Sequence, residues 1–118
     1  MRFLMMTTDD GSAAGGLPDE AMMAEMGRFV EEMSRSGALL ATGGLDPKAT
    51  HLSASGGKVT VTDGPFTEAK EAVVGFALIE VASKAEAVEL STRFWQIIGN
   101  GAGVIQQVFG PEDPFPGQ

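Results

Sequence analysis

The chain has no cysteine and no tyrosine, and only one histidine and one tryptophan among its 118 residues. Without cysteine, disulfides, thiolate metal sites and a cysteine nucleophile are excluded. A single imidazole cannot build a histidine-rich metal site, and the carboxylates lack a spacing typical of Mg²⁺ sites. Phosphate-binding loops and nucleophile-elbow serines are also absent. We therefore expect no metal and no cofactor.

Basic residues and long apolar runs are scarce as well. Eight Lys and Arg against sixteen Asp and Glu give a formal net charge of −8, which repels phosphate backbones and anionic lipid. No stretch approaches the roughly 18 apolar residues of a membrane span. The apolar run at residues 3–6 is too short for the core of a signal peptide. The expectation is a cytoplasmic protein that binds neither nucleic acid nor membrane.

The length predicts one domain spanning residues 1–118. Ser83 and Glu86 have the spacing of a capping box, which marks the start of a helix. The periodicity and turn residues predict strands at 2–8, 38–45, 51–55, 58–62, 72–81 and 104–109, helices at 18–37 and 83–98, and an extended Pro-rich tail at 111–118. A methionine stripe on the first helix suits core filling, or an adaptable ligand pocket.

A β-hairpin is predicted around Gly56-Gly57, a pair typical of two-residue turns. This turn places Leu52 opposite Val61 and His51 opposite Thr62. Apolar side chains then share one side of the hairpin and polar side chains the other, which supports the register.

The order of the elements predicts an α+β fold with a ferredoxin-like antiparallel sheet, two helices on one face and an inserted β-hairpin. The first strand is apolar on both sides, with Phe3 and Met5 pointing one way and Leu4 and Met6 the other. Two helices cover only one side of such a sheet. A second copy across a two-fold axis is the simplest cover for the other side, so we expect a homodimer. The alternative is a monomer with an interior ligand-filled pocket.

Residues 62–71 contain an acidic residue, a forced turn, an apolar anchor and three charges. Gly64-Pro65 forces the turn. Asp63 either caps this turn or acts as a general base or anion-sensing carboxylate. Phe66 anchors the turn to the core. The three charged residues are Glu68, Lys70 and Glu71. They either form a solvated face or line a cleft in which Lys70 holds an anionic ligand.

The sequence Asp63-Gly64-Pro65-Phe66, followed by Glu68, Lys70 and Glu71, resembles the YCII-related family and in particular its DGPF-domain branch. Further similarity, including Gln107-Val108-Phe109, extends over the whole chain. The resemblance implies a dimeric α+β barrel. It implies no established activity for this branch, although a His–Asp pair has been considered catalytic in some members. Some DGPF proteins are associated with extracytoplasmic-function sigma factors.

Three functions follow as hypotheses. The first is a homodimer that binds a small molecule in a cleft formed by Asp63, Phe66, Glu68, Lys70 and Glu71. The second is a cofactor-free enzyme in which Asp63 or His51 transfers protons, although strand alternation starts these two side chains on opposite faces and favours a surface role for His51. The third is a non-catalytic domain that regulates transcription through a protein partner.

Overall fold

In the computed structural model, the described residues are 1–9, 19–46, 48–63 and 72–113. Two helices and antiparallel strands confirm the α+β class predicted from the sequence. The elements in chain order are β1 (Arg2–Asp9), α1 (Glu20–Arg35), β2 (Leu39–Gly44), β3 (Thr50–Ser55), β4 (Lys58–Asp63), β5 (Ala72–Glu80), α2 (Lys84–Ile98) and β6 (Ala102–Val108).

The main sheet has four strands in the order β2-β5-β1-β6, and all neighbours are antiparallel. This is the strand order of a ferredoxin-like sheet. Met5 lies opposite Ala77 on β5 and Ile105 on β6, so these side chains share the face toward the helices. Leu4 lies opposite Leu78 and therefore points to the other face, here called the outer face. The predicted division of β1 between two apolar faces is confirmed.

The buried core lies between the sheet and α2. Phe3, Met5, Ile79, Val81 and Ala87 form its centre, and Ile79 is fully buried at 0% exposure. Burying a side chain of this size contributes roughly 1.5–3 kcal/mol relative to leaving it exposed. The core therefore holds α2 against one end of the sheet.

Side-chain caps define where both helices begin. The Asp19 carboxylate accepts a hydrogen bond from the Met22 N–H at 2.7 Å, so Asp19 caps α1 and the helix begins at Glu20, two residues after the predicted start at position 18. Ser83 Oγ accepts from the Glu86 N–H at 3.2 Å. The Glu86 carboxylate in turn accepts from the Ala82 N–H at 3.1 Å. In the usual capping box this carboxylate accepts from the N-cap residue, here Ser83, so the predicted box extends one residue further back.

An ion pair joins the two helices on their solvent side. Arg93 donates to the Glu32 carboxylate at 2.8 Å, and its guanidinium lies 4.9 Å from the centre of the Phe29 ring. The hydrogen bond from Arg93 lowers the pKa of the Glu32 carboxyl below its ordinary value and raises that of Arg93. Because both groups are largely exposed, the pair orients the helices more than it stabilises them.

The outer face carries apolar side chains that no described element covers. Val104, which lies opposite Met6, is 49% exposed. Leu4, Met6 and Leu78 are half-buried among each other on the same face. These side chains are as apolar as those of a protein core, but they lie on a surface that is open to water.

The hairpin β3–β4 forms a separate two-stranded sheet. Its register matches the prediction at every pair, including His51 with Thr62 and Leu52 with Val61. All residues of both strands are exposed. The hairpin therefore contributes almost nothing to the core of the described chain.

Most boundaries differ from the sequence prediction by one or two residues, and two differences have an identifiable cause. Strand β6 begins at Ala102, because Gly103 pairs with Thr7 instead of ending the preceding helix. The chain after Phe109 begins with a turn in which the Gly110 N–H donates to Asp113 at 2.7 Å, and residues 114–118 of the predicted tail lie outside the described residues. Within the described ranges, neither helix combines the length and the apolar character needed to cross a membrane.

Candidate ligand-binding site

A cavity of about 360 Å³ lies between the two helices and the main sheet. Both helices and all four strands contribute to its walls. The helix residues are Met26, Phe29, Val30, Met33, Ser91, Phe94, Trp95 and Ile98. The strand residues that share the helix-facing side of the sheet include Met5, Thr7, Thr42, Gly75, Ala77, Gly103 and Ile105.

One row of the sheet beside the cavity lacks large side chains. Thr7 lies opposite Gly75 on one side and Gly103 on the other, in the row beyond Met5. A Cβ atom added to Gly75 would lie 2.8 Å from Thr7 Oγ1. A Cβ added to Gly103 would lie 2.8 Å from the Trp95 ring and 2.4 Å from the Met6 carbonyl oxygen. In this row of Thr7, Gly75 and Gly103, here called the glycine row, the missing side chains let Thr7 and the Trp95 ring lie close to the backbone, and the cavity lies alongside.

Trp95 forms one wall of the cavity. Its ring packs over the start of β6, where a Cβ on Gly101 would lie 2.6 Å from the ring. The ring also meets Phe94 edge to face, with 5.1 Å between centroids. Gly101, just before β6, and Gly103 within it make room for the ring.

The walls are apolar and uncharged. None of the described residues that line the cavity is Asp, Glu, Lys, Arg or His. The Thr42 hydroxyl donates to the Phe76 carbonyl at 2.9 Å, and the Ser91 hydroxyl donates to the Ala87 carbonyl at 2.8 Å. Such a cavity suits an uncharged, largely apolar molecule, because it offers no counter-ion to a charged one.

Both interpretations of the methionine stripe find support in the structure. Met33 is buried in the core, whereas Met26 is half-buried, and both line the cavity. Methionine is flexible and polarizable, so walls that contain it adapt to the shape of a bound molecule.

Asp63 and His51 lie at the base of the hairpin. The Asp63 carboxylate accepts a hydrogen bond from Thr50 Oγ1 at 2.8 Å, across the last pair of the ladder. His51 lies one residue along from Thr50 and therefore points to the opposite face of the hairpin. The structure thus pairs Asp63 with Thr50, and the alternation of the strands starts the Asp63 and His51 side chains on opposite faces of the hairpin.

The other residues predicted for the cleft, Phe66, Glu68, Lys70 and Glu71, lie outside the described residues. The chain path still relates their segment to the cavity. Residues 64–71 connect the end of β4 to Ala72 at the start of β5, three positions before Gly75. The segment therefore joins the sheet at the end where the glycine row lies.

Sequence reasoning missed the glycine row. A glycine inside an apolar strand is itself a signal, because it weakens the strand and often marks a close approach of backbone or ligand. Gly75 and Gly103 carry this signal. Their alignment beside Thr7 depends on the pairing register of three strands that are far apart in the sequence.

Comparisons with known proteins identify the family. The YCII-related domain matches residues 1–97. An uncharacterized protein of Rhizobium meliloti (strain 1021) is 36% identical over 75 residues, which cover 62% of this chain and 60% of that protein. The matched region thus spans less than two thirds of that relative. Among solved structures, a 5-chloro-2-hydroxyhydroquinone dehydrochlorinase from Burkholderia phenoliruptrix, in complex with 2,5-dihydroxybenzoquinone, is 15% identical with a TM-score of 0.49, over 97% of this chain and 100% of that one.

Proposed function

The chain belongs to the YCII-related domain family, and from this premise we propose that it binds a small, uncharged, largely apolar molecule. The cavity between the helices and the sheet is the proposed site. The observation that carries the proposal is the cavity itself, whose described walls are apolar and contain no charged side chain.

The volume of the cavity sets the size of the ligand. An engineered apolar cavity of about 150 Å³ stays dry and binds benzene. The cavity here measures about 360 Å³, somewhat more than twice that volume. It lies at the lower end of the range of roughly 300–1,000 Å³ that small-molecule sites occupy. A compound with two fused six-membered rings, such as naphthalene, matches this space.

The DGPF segment supplies the proposed rim of the site. Residues 64–71 join β5 at the end of the sheet where Gly75 lies, so the topology is compatible with Phe66 and the charged residues Glu68, Lys70 and Glu71 standing near the mouth. In this arrangement Lys70 contacts an anionic substituent that remains outside the apolar cavity. On the same motif we assign the chain to the DGPF branch.

We also propose that the protein is a homodimer. The outer face exposes Val104 and contains the Leu4–Leu78 pair. A second copy with the same face, related by a two-fold axis, covers these side chains on both subunits at once. Leu4 and Leu78 do not line the ligand cavity, so loss of the dimer through these residues and loss of ligand binding are separate observations.

Trp95 provides a direct test of the site, because it is the sole tryptophan, the chain has no tyrosine, and its ring lines the cavity. Titration with neutral N-phenyl-1-naphthylamine should quench Trp95 emission by energy transfer to the bound probe, saturating at one probe per subunit. Ala77→Leu places a larger side chain in the cavity and should weaken this binding at least tenfold. Ala24→Leu is the matched control, since Ala24 is exposed on α1 and lies outside the cavity.

The outcomes separate the site from non-specific adsorption. Equal binding by the parent, Ala77→Leu and Ala24→Leu proteins would show that the probe binds elsewhere. Quenching that never saturates would show that no defined site exists. Circular dichroism of both variants confirms that each has folded.

The rim is tested with a charged analogue. If Lys70 contacts an anionic substituent, Lys70→Ala weakens binding of 2-naphthoate and leaves binding of naphthalene unchanged. Lys58→Ala, on the exposed turn of the hairpin, is the charge-matched control. Equal affinity of the Lys70→Ala and parent proteins for 2-naphthoate would remove Lys70 from the rim while leaving the cavity in place.

A further inference from the structure

The hairpin β3–β4 exposes an apolar face that the main sheet does not use. Leu52, Val59 and Val61 are 68%, 56% and 60% exposed, and the register places them on one face together with Ala54. The opposite face carries His51, Ser53, Thr60 and Thr62. This alternation is that of a hairpin with one face buried, although nothing among the described residues buries it.

A hairpin standing away from the body also needs support for its own stability. An isolated two-stranded hairpin is marginal in water, and packing of one face normally supplies what it lacks. Here the Cα radius of gyration is 16.7 Å, compared with about 13.5 Å for a compact domain of this length. The excess fits an element that extends beyond the body, and the apolar face of the hairpin is the surface that would complete its packing.

We propose that this apolar face is an arm that packs on a second copy of the chain, within the same two-fold interface as the outer face of the sheet. The inference rests on the proposed homodimer. It adds a second contact surface to that dimer and assigns the arm residues Leu52, Ala54, Val59 and Val61 to it.

The area required by a stable dimer favours a second copy as the occupant. Four strands of about seven residues present a flat footprint of roughly 440 Å². Stable interfaces bury about 800 Å² per partner. The outer face alone is therefore small for a lasting dimer. The two six-residue strands of the arm add roughly 200 Å², which brings the flat footprint to roughly 640 Å² and closer to that area.

Charge and symmetry argue against other occupants. A net charge of −8 opposes an anionic membrane surface. On the arm, the apolar face ends at the hydrogen-bonded Thr50–Asp63 pair and shows no cluster of positive charge. In a two-fold dimer each chain supplies both the arm and the face it joins, so both uncovered apolar surfaces of one chain are satisfied by one partner.

The test compares two faces of the same strand. Val59→Thr combined with Val61→Thr keeps the shape and β-propensity of the side chains but adds hydroxyl groups to the apolar face. Thr60→Ser combined with Thr62→Ser, on the opposite face, is the control. Sedimentation equilibrium should show that the valine variant raises the dimer dissociation constant at least tenfold, while the control changes it less than twofold.

A second measurement locates the arm directly. Hydrogen exchange of residues 50–63, compared at concentrations where the parent is dimeric and monomeric, should show protection of the arm only in the dimer. Equal protection in both states would mean that the arm packs on its own chain and would overturn the inference. Binding of the parent to phosphatidylcholine vesicles, lost in the valine variant, would replace the second copy with a lipid surface and would also overturn it.

Failure of the arm and failure of the dimer are distinguishable. If the valine variant dimerises as tightly as the parent, the arm is not part of the interface, and the dimer through the outer face stands. If the parent itself is monomeric at all concentrations, both the dimer and the arm are wrong. Ligand binding in the cavity is measured independently through Trp95.

Discussion

Replacing Leu78 by glutamate should separate the proposed dimer into subunits. Leu78 lies on the outer face, directly opposite Leu4 on the neighbouring strand. It is half-buried in the single chain, so a glutamate there can turn its carboxylate toward water as long as the face is open. In a dimer the same carboxylate would be enclosed between two sheets, without a partner.

The size of the effect follows from the burial of two charges. An uncompensated buried charge costs about 3–5 kcal/mol, and a two-fold dimer would contain two of them. At the lower figure the two charges together cost about 6 kcal/mol. Even half of that cost raises the dissociation constant about 100-fold, since each 1.4 kcal/mol is a factor of ten. In the monomer the same substitution loses only the partial burial of one leucine, roughly 1 kcal/mol.

Sedimentation equilibrium measures this change directly. Ala24→Glu, on the exposed side of α1, adds the same charge away from the outer face and should leave the subunit count unchanged. Circular dichroism melting shows whether each variant remains folded. A folded Leu78→Glu protein with the dissociation constant of the parent would refute the assignment of the outer face to the interface.

Three further predictions concern the single chain. Ile79→Ala should lower the free energy of unfolding by about 2–5 kcal/mol in urea titrations, because this side chain is 0% exposed and its loss leaves a cavity; a loss below 1 kcal/mol would contradict its place in the core. Gly101→Ala should lower the Tm by about 5 °C or more, since φ is +139° and the new Cβ would meet the Trp95 ring; an unchanged Tm would contradict that contact. The pKa of Glu32 is lowered by Arg93, so the stabilisation of the parent over Glu32→Gln should be present above pH 4.5 and be lost as the pH falls through the folded-state value, and a difference that grows in acid would contradict the sign.

Local features of the fold could be predicted from the sequence because their physical causes are local. The register of the hairpin follows from the Gly56-Gly57 turn and from the agreement of Leu52 with Val61. The start of α2 follows from Ser83 and Glu86, whose hydrogen bonds are those of a capping box. In each case the interacting residues lie within about fifteen positions of one another.

Strand boundaries are harder to predict from the sequence where one glycine serves two purposes. Gly101 and Gly103 resemble a helix terminator in sequence, but Gly103 belongs to β6 and pairs with Thr7. The same residue makes room for Trp95. Local propensity cannot distinguish a glycine that ends a helix from one that accommodates a large side chain from a distant element.

The cavity could not be predicted because it depends on distant parts of the chain. Thr7, Gly75 and Gly103 become neighbours only through the pairing of β1 with β5 and β6. Sequence reasoning therefore placed the ligand at the charged DGPF segment, where the chemistry is visible in consecutive residues. The structure adds an apolar space on the adjoining end of the sheet.

The most direct test of the proposed function is a crystal structure of the protein grown with naphthalene. The account predicts density for the two-ring compound between Trp95, Ala77 and the glycine row, with Met26 adjusting around it. A cavity closed by the protein's own side chains, or naphthalene found only on the outer face, would contradict the account.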